Sequence, residues 1–364
     1  MVRMKDIAND LGVSVMTVLR ALRNHPGVSA ATRAEVLQRA QELNYRPNLA
    51  ARALVTGRSG LMGLVIPNLL HSFFAQLAVE LSGGLRKQAF TLLISSSDGD
   101  PEVERQEIDR LLGRGVDALL VASSQPTPEA FRQLEARKVP YVLLGCWFPG
   151  LAANFVGVSD EAVGSIATQH LLEIGCRHIA YIGGTQPGAA LGQLEGYRRT
   201  LTRHSIPVSQ KYIVSVGECA MSASDAGYQA AIRVINLVPR PTGIFCCSDP
   251  VAIGAMTAIL DAGIRIPEDI ALMGCGNLPF NSSLRVPLSS IDQRSGVIGC
   301  RAAELAVSLV QADVGLRPKA ILLEPALVIR RSTTRRNSRR HPHPLKSCGE
   351  LPEVGGNHAR GTRH

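Results

Sequence analysis

The chain has 364 residues, of which 45% are hydrophobic and 19% charged, and its 39 basic and 30 acidic residues give a net charge of +9. This composition is typical of a globular protein of roughly two domains with appendages, and the excess of positive charge favours a polyanionic partner. No apolar run approaches the roughly 20 residues that a membrane helix needs, and the polar, periodic residues 1–11 do not look like a signal peptide. We therefore expect a cytoplasmic protein with no membrane partner.

The positive charge is concentrated at the two ends of the chain. Residues 1–58 hold nine basic and four acidic side chains, residues 59–334 hold 23 and 24, and residues 335–364 hold seven and two. A near-neutral body therefore lies between two basic ends. The C-terminal end lacks apolar periodicity and is rich in Arg, Gly and Pro, which is typical of a disordered tail.

The N-terminal residues predict three short helices. Each helix has a single apolar stripe at three- and four-residue spacing, formed in turn by Ile7 and Leu11, by Val18 and Leu22, and by Val36, Ala40 and Leu43. Gly12 separates the first two helices, as in a helix-turn-helix unit. Ser29 is a candidate N-cap for the third helix, and Asn44 is its expected end.

The second of these helices has a distinctive outer face. With Val18 and Leu22 facing the core, a turn of about 100° per residue places Met16, Arg20 and Arg23 on the outside. Such a face suits a DNA major groove, because Arg can pair with guanine and an apolar side chain can contact a thymine methyl group. A solvated basic helix is the alternative interpretation.

A short Ala- and Leu-rich segment, residues 48–54, follows the third helix. It is too short to be a stable helix alone, and Arg46, Arg52 and Arg58 flank or interrupt it. Leu54 at its end can act as an apolar wedge in a minor groove while the arginines contact phosphates. A linker whose Leu54 packs on the body of the protein is equally compatible with this local sequence.

From residue 60 onward, short apolar runs alternate with helical stretches. The runs indicate buried parallel strands at residues 63–66, 91–94, 118–121, 141–144, 179–182, 243–246 and 271–274. The helical stretches cover residues 74–87, 102–112, 161–173, 194–204, 224–237 and 251–262. Two successive sets of this βα pattern, divided at about residue 155, predict two doubly wound α/β lobes, with residues 297–330 crossing back.

Motifs for catalysis or metal binding are missing from the sequence. The glycine-rich residues 182–188 follow a strand but match neither a dinucleotide-binding nor a phosphate-loop pattern. The nine histidines and eight cysteines show no metal-ligand spacing, so we expect mostly buried free thiols, no metal, no cofactor and no enzymatic activity. A solute-binding transport protein would share the two lobes but leaves residues 1–58 unexplained.

Numerous motifs in consistent order carry a resemblance to a known family. They are residues 4–24 (MKDIANDLGVSVMTVLRALRN), 32–33 (TR), 43–48 (LNYRPN), 51–54 (ARAL), 66–67 (IP), 72–74 (SFF), 120–123 (LVAS), 196–197 (GY), 248–249 (SD), 267–270 (PEDI), 287–291 (PLSSI) and 330–333 (RRST). In these motifs the chain resembles the lactose/galactose repressor (LacI/GalR) family over residues 2–334. Only the basic tail falls outside the resemblance.

The resemblance implies the architecture of a regulator. It implies a three-helix helix-turn-helix headpiece at residues 1–47, a hinge helix or linker at 48–58, and two Rossmann-like lobes of the periplasmic-binding-protein type at 59–334, before the tail at 335–364. The family represses transcription as a homodimer on a pseudo-palindromic operator in double-stranded DNA. A small-molecule effector between the lobes, here a sugar or related metabolite, alters the hinge and thereby the affinity for DNA.

Matching positions also imply individual DNA contacts. They are Val15, Met16 and Arg20 for base edges, Ser14, Thr17 and Asn24 for phosphates, and Leu54 for the minor-groove wedge, with Arg52 beside it as a candidate phosphate contact. Leu19 departs from the family, where a serine is common, so one hydroxyl contact with the DNA backbone is in doubt.

The implied effector contacts are less standard. They are Phe73 or Phe74, Trp147, Gln193, Asp249 and Asn277. Gln193 stands where relatives carry a basic residue, and Gly276 stands where they carry an aspartate, so two charged anchors are lost. We therefore expect a neutral or less polar effector. Trp147 could stack on it or, equally, cap the end of a strand.

Overall fold

The computed structural model describes residues 2–22, 24–45, 57–184, 189–216, 222–312 and 317–334, without the side chains of residues 189 and 190. The predicted hinge residues Arg52 and Leu54, the outward Arg23 and the basic tail lie outside the described residues. The helices of the described part are α1 (Met4–Asp10), α2 (Val15–Leu22), α3 (Ala30–Glu42), α4 (Ser72–Lys87), α5 (Pro101–Gly113), α6 (Glu129–Ala136), α7 (Asp160–Glu173), α8 (Ala189–Arg203), α9 (Ala223–Ile235), α10 (Asp249–Asp261) and α11 (Ser295–Gln311). The strands are β1 (Leu61–Ile66), β2 (Thr91–Ser96), β3 (Ala118–Val121), β4 (Tyr141–Leu144), β5 (Phe155–Val158), β6 (Ile179–Gly183), β7 (Ile213–Ser215), β8 (Gly243–Cys246), β9 (Ala271–Cys275), β10 (Ser289–Asp292), β11 (Ala320–Leu323) and β12 (Ala326–Val328).

Helices α1 to α3 form the helix-turn-helix unit that the sequence predicts. Gly12, with φ of 63°, makes the turn between α1 and α2, because a residue without Cβ adopts this left-handed conformation at little cost. Ser29 caps α3 by accepting a hydrogen bond from the Thr32 amide at 3.1 Å. Asn44, with φ of 50°, follows the end of α3. The small core that joins the three helices is formed by Ile7, Ala8, Val18, Ala21, Val28, Val36 and Ala40.

The twelve strands of the described part form two six-stranded sheets, one in each lobe. The strand order is β11-β5-β4-β3-β1-β2 in the first lobe and β12-β10-β9-β8-β6-β7 in the second. All pairs are parallel except β12, which runs antiparallel to β10. Within β1, Leu64 and Val65 belong to separate apolar clusters on opposite faces of the sheet. The prediction of two doubly wound lobes is confirmed.

The division between the lobes differs from the predicted one. Strand β5 begins at Phe155 and pairs with β4, so the first lobe extends through Val158 rather than ending at about residue 155. The short strand was missed because Gly157 interrupts its apolar run. That glycine lies so close to its neighbours that an added Cβ would be 3.0 Å from the Gly145 Cα.

Several other elements were missed or misjudged in length. The prediction lacked α6, β7 and β10, and α8 begins at Ala189 rather than at Leu194. Strand β7 has only three residues, and β10 contains two serines and an aspartate, so neither forms a recognisable apolar run.

The chain crosses between the lobes three times, always at the carboxyl ends of parallel strands. It passes from β5 to α7, from β10 to α11 and from β11 to β12. Helix α11 packs on α4 of the first lobe, where the Ser295 hydroxyl donates to Gln76 Oε1 at 2.7 Å. Strand β12 returns to the second sheet, which confirms the predicted crossing back. Open α/β sheets bind ligands at such carboxyl ends.

Candidate functional site

Helix α2 presents the outer face that the sequence predicts. Ser14 caps its start, because its Oγ accepts a hydrogen bond from the Thr17 amide at 3.0 Å and lies 2.8 Å from Thr17 Oγ1. Val18 is fully buried on the inner side. On the outer side Val15 and Met16 are 43% and 54% exposed. Two large apolar side chains thus face away from the headpiece core.

Arg20 is exposed on the same helix. Among the described residues its side chain makes no hydrogen bond or ion pair, while its carbonyl accepts the His25 amide at 2.9 Å. Two other headpiece arginines, by contrast, have partners within the headpiece. Arg39 bonds Asp10 of α1 at 2.6 Å, and Arg33 donates to the His25 carbonyl at 3.0 Å. Those two arginines stabilise the headpiece through contacts within it, whereas the Arg20 side chain is available to bind another molecule.

Asn24 stands two residues beyond the end of α2. It is exposed, has a φ of 55°, and donates its amide to the Ala21 carbonyl at 3.1 Å. Leu19, the departure from the family pattern, is partly buried. Among the described DNA-contact predictions, Ser14, Val15, Met16, Thr17, Arg20 and Asn24 therefore all lie on or beside one helix.

The predicted ligand contacts lie at the carboxyl ends of strands, where the lobes are joined. Phe73 is buried in the core, while Phe74 is partly buried beside it with ring centroids 5.2 Å apart. Trp147 follows β4 and is 53% exposed, with its ring edge-to-face against Phe155 at 5.6 Å. Phe74 and Trp147 are thus the more accessible aromatic faces of this set.

Asp249 opens α10 at the end of β8, and its carboxylate is fully engaged within the second lobe. Its Oδ1 accepts the Ser290 hydroxyl at 2.7 Å. Its Oδ2 accepts the Leu278 amide at 2.9 Å and Asn281 Nδ2 at 2.8 Å. Burial raises the pKa of this carboxyl, and the three hydrogen bonds oppose that rise. The group shapes the end of the sheet rather than offering a vacant acceptor.

Asn277 is also held by its neighbours. Its Oδ1 accepts Arg330 Nη2 at 2.7 Å, its Nδ2 donates to Asp292 at 3.3 Å, and its amide donates to the Ser290 hydroxyl at 2.9 Å. The Asn277 backbone has a φ of 52°, and the preceding Gly276 has a φ of 123°. The network fixes the loop after β9 against β10 and the segment after β12.

Gln193 has a different environment. The residue is only 3% exposed, and its Nε2 makes one long contact, 3.9 Å, to Cys275 Sγ. Its Oε1 has no partner among the described residues. A buried amide oxygen without a donor costs free energy, so this side chain has unused binding capacity.

Asp160 is the principal site residue that the sequence analysis missed. It is the first residue of α7, behind the N-cap Ser159. It lies beside the start of α8, since a Cβ on Gly192 would come within 2.6 Å of its Cβ. Burial raises the pKa of its carboxyl to about 7. A serine and two acidic residues after a strand are typical of an ordinary helix start, which is why the sequence alone did not single it out.

The charge of Asp160 affects the pKa of groups in or just after three strands. Burial first, then the charges of Glu104 and Asp160, raise the pKa of Cys146 after β4 to about 12. Asp160 also contributes to the raised pKa of Cys275 in β9 and of Tyr181 in β6, where burial is again the largest cause. Because Asp160 begins the helix at which the chain crosses from the first lobe to the second, its carboxyl lies where the lobes are joined.

His71, between β1 and α4, is a second residue that the sequence analysis missed. Its Nδ1 is buried without a partner among the described residues, and burial lowers the pKa of the ring. The ring centroid lies 5.4 Å from that of Phe74. Apart from its place after a strand, nothing in the local sequence indicates a role for this histidine.

The described ranges contain no group of three or more His, Cys, Asp or Glu side chains arranged to hold a metal ion. Their helices include none with the length and apolarity to cross a membrane. The cysteines described, at 146, 176, 246, 247, 275 and 300, are free thiols, as predicted.

Known protein families match both the headpiece and the lobes of the chain. Residues 3–48 match the bacterial regulatory proteins of the lacI family, and residues 168–333 match the periplasmic binding protein-like domain. Catabolite control protein A of Priestia megaterium is 30% identical over 302 residues, which cover 82% of this chain and 90% of that protein. The chain belongs to the LacI family. It is thus a DNA-binding transcriptional regulator with a helix-turn-helix headpiece.

Other LacI-family members agree over nearly the whole length. The ribose operon repressor of Haemophilus influenzae is 30% identical over 333 residues, covering 91% of this chain and 98% of the repressor. The solved Lac repressor dimer bound to operator and the anti-inducer ONPF is 25% identical with a TM-score of 0.80, over 91% of this chain and 99% of that one. The transcriptional regulator CelR in complex with cellobiose is 26% identical with a TM-score of 0.67, over 91% and 100%.

Proposed function

We propose that this LacI-family chain represses transcription as a homodimer on a pseudo-palindromic operator, with α2 of each subunit in a major groove. The observation that carries this proposal is the outer face of α2. Val15, Met16 and Arg20 are exposed there while the opposite face is buried. Arg20 would pair with a guanine, and Met16 and Val15 would contact base edges through apolar surface.

Phosphate contacts would fix this helix in the groove. Ser14 and Thr17 lie at its start and Asn24 just beyond its end, so their polar groups flank the base-reading face. Arg52 and Leu54, outside the described residues, would add a phosphate contact and a minor-groove wedge. The domain limits that go with this proposal are residues 1–47, 48–58, 59–334 and 335–364.

A small molecule bound where the lobes meet would change the affinity for DNA. Support comes from the carboxyl ends of both sheets at this place, from the CelR complex with cellobiose, and from the relatives named as operon repressors. We assign Phe74, Trp147 and Gln193 to the ligand, while Phe73, Asp249 and Asn277 hold the walls in place. By linkage, DNA must change the affinity for the effector by the same factor.

We further propose that the chain acts by binding alone, without catalysis, and that it works in the cytoplasm on the nucleoid. Its relatives are regulators, and an operator-binding protein needs access to chromosomal DNA. A hydrolase and dehydrogenase substrate screen with no turnover above a buffer control would agree with the first point.

The test is DNA binding by the intact chain. Genome-wide footprinting should find pseudo-palindromic sites, and gel shifts on these sites should weaken steeply between two salt concentrations, because each phosphate contact releases counterions. A variant lacking residues 1–58 should lose DNA binding while the lobes stay folded. Equal DNA binding by the truncated and intact chains would contradict the proposal.

A further inference from the structure

We infer that the effector carries a protonated amine and that Asp160 binds it. This inference rests on the proposed effector role of the junction between the lobes and names the chemical class of its ligand. It departs from the neutral effector that the sequence predicts, because that prediction counted the lost anchors without the carboxyl that the fold brings to the same place.

The first step is the position of Asp160. It directly follows the crossing from β5 to α7, and it packs against the start of α8 through the space left by Gly192. Its carboxyl interacts electrostatically with Cys146 of the first lobe and with Cys275 of the second. It therefore lies at the carboxyl ends of both sheets, where open α/β folds bind ligands.

The second step is the unused capacity of Gln193 next to it. Gln193 follows Gly192 on α8, and its amide end reaches Cys275, which is also a neighbour of Asp160. The residue is buried, and its Oε1 has no donor among the described residues. An ammonium group has three donors, enough to serve the Asp160 carboxylate and this amide oxygen together.

The third step is the balance of charge around Asp160. The charge of Asp160 reaches the Cys146 thiol, the Tyr181 phenol and the Cys275 thiol, and its Cβ packs against Gly192, the residue before Gln193. None of these described groups is a cation, and burial is the sole cause of its raised pKa. Among the described residues, no donor or ion pair reaches its carboxyl.

Other carboxyls at the same strand ends are satisfied by the protein. Glu104 accepts the Ser123 hydroxyl at 2.6 Å and the Ser124 amide at 2.5 Å, and Asp249 accepts three hydrogen bonds. The nearby cation Arg330 is held by Asn277 and by the Leu288 carbonyl. The Asp160 carboxyl is thus the acceptor at this place to which a ligand can donate hydrogen bonds.

Charge decides between the classes of ligand. A partly buried carboxylate without a partner is unfavourable, and a cation in hydrogen-bond contact compensates it far better than a neutral hydroxyl. A ligand carboxylate would be repelled by Asp160, and the neutral Gln193 offers no positive charge to hold it. The charge of the site therefore favours a cationic ligand.

The experiment uses the intact chain at pH 7 and a panel of matched sugars and short polyols, each as alcohol, amine and carboxylate. One such set is D-glucose, D-glucosamine and D-glucuronate. Thermal shift screens the panel, and calorimetry measures Kd for each compound that raises the Tm. We expect amines alone to bind, and Asp160→Asn to weaken them at least tenfold.

Asp109→Asn is the matched control, because it removes an exposed carboxylate of α5 in the first lobe. It should bind amines as the wild-type chain does. The inference is overturned if no amine of the panel binds, if the alcohols or carboxylates bind better, or if Asp160→Asn binds amines with unchanged Kd.

Gel shifts on a footprinted operator, run in parallel, separate this inference from the proposed function. Operator binding that responds to an alcohol or an acid instead of an amine supports the proposed regulatory function and contradicts the inference of an amine effector. Absence of operator binding by the wild-type chain contradicts the proposed function itself. Operator binding by unliganded Asp160→Asn shows that this variant is folded.

Discussion

The Ser290 hydroxyl donates to Asp249 Oδ1 over 2.7 Å and thereby ties the start of α10 to β10, two strands away in the second sheet. Oδ2 of the same carboxylate holds the loop after β9 through the Leu278 amide and Asn281 Nδ2. Three donors from three segments therefore converge on one buried side chain. Losing that side chain would leave all three without an acceptor.

Asp249→Ala should therefore destabilise the second lobe strongly. Each buried donor left unpaired costs about 1–3 kcal/mol, so three of them give a total on the order of 3–9 kcal/mol. Urea unfolding measures this, with Asp249→Asn, which keeps one acceptor oxygen, as the milder companion. Normal stability combined with weakened effector binding would instead make Asp249 a direct ligand contact.

Arg20→Ala should relax the base preference at one position in each half-site and cost about 1–3 kcal/mol of specific affinity. The reason is that Arg20 is exposed on α2 and its side chain has no protein partner among the described residues. Binding to a footprinted operator and to its single-base variants measures the effect. Arg132→Ala, an exposed arginine of α6 in the first lobe, is the control. A uniform loss on all sequences would identify Arg20 as a phosphate contact.

Asp160 should make stability fall as the pH rises from about 4 to 7. Its pKa is about 7 in the folded chain, against 3.8 for an ordinary aspartate, so the folded state holds an extra proton in this window. The slope reaches at most about 1.4 kcal/mol per pH unit. Above pH 7 the group is ionised in both states and the slope vanishes.

The corresponding variant is Asp160→Asn, which cannot ionise. Unliganded Asp160→Asn should be more stable than the wild-type chain at pH 8, and the difference should shrink as the pH falls towards 5. Thermal unfolding of both proteins across this range isolates Asp160 from Glu104, whose pKa is also raised by burial. A difference that does not change with pH would contradict the assigned environment.

Gly254→Ala should separate α10 from α9. A Cβ at this position would lie 1.8 Å from the Ser224 carbonyl oxygen, so the helices must move apart, at about 1–3 kcal/mol or more. Gly113→Ala at the end of α5 is the control, because nothing lies within 4 Å of its Cβ position. It should be neutral or gain up to about 1 kcal/mol. Equal stability of the two variants would refute the close packing.

The headpiece illustrates how local sequence determines local structure. The apolar stripe of α2 is formed by residues three and four apart, so Val18 is buried and Met16 and Arg20 are exposed by helix geometry alone. Ser29 and Asn44 mark the ends of α3 through hydrogen bonds and backbone conformation within a few residues. The apolar runs that became β3, β4 and β8 were placed to the residue for the same reason.

The ligand site did not follow from local pattern. Asp160 and Gln193 are 33 positions apart, and nothing in either segment indicates that Gly192 lets their helices touch. Asp249 matched a family motif, yet only the return of β10 beside β9 shows that its oxygens are occupied. Strand β5 was missed because Gly157 interrupts its apolar run, and β7 because it has only three residues.

The helix-turn-helix headpiece, the two α/β lobes and the regulatory family follow from the order of the residues, because neighbouring residues carry helix periodicity, buried strand runs and motif order. Which polar groups at the junction of the lobes are already hydrogen-bonded, and which lack a partner, follows only from the folded structure. That distinction depends on hydrogen bonds and burial among residues far apart in the chain, which come together only when the strands and helices pack.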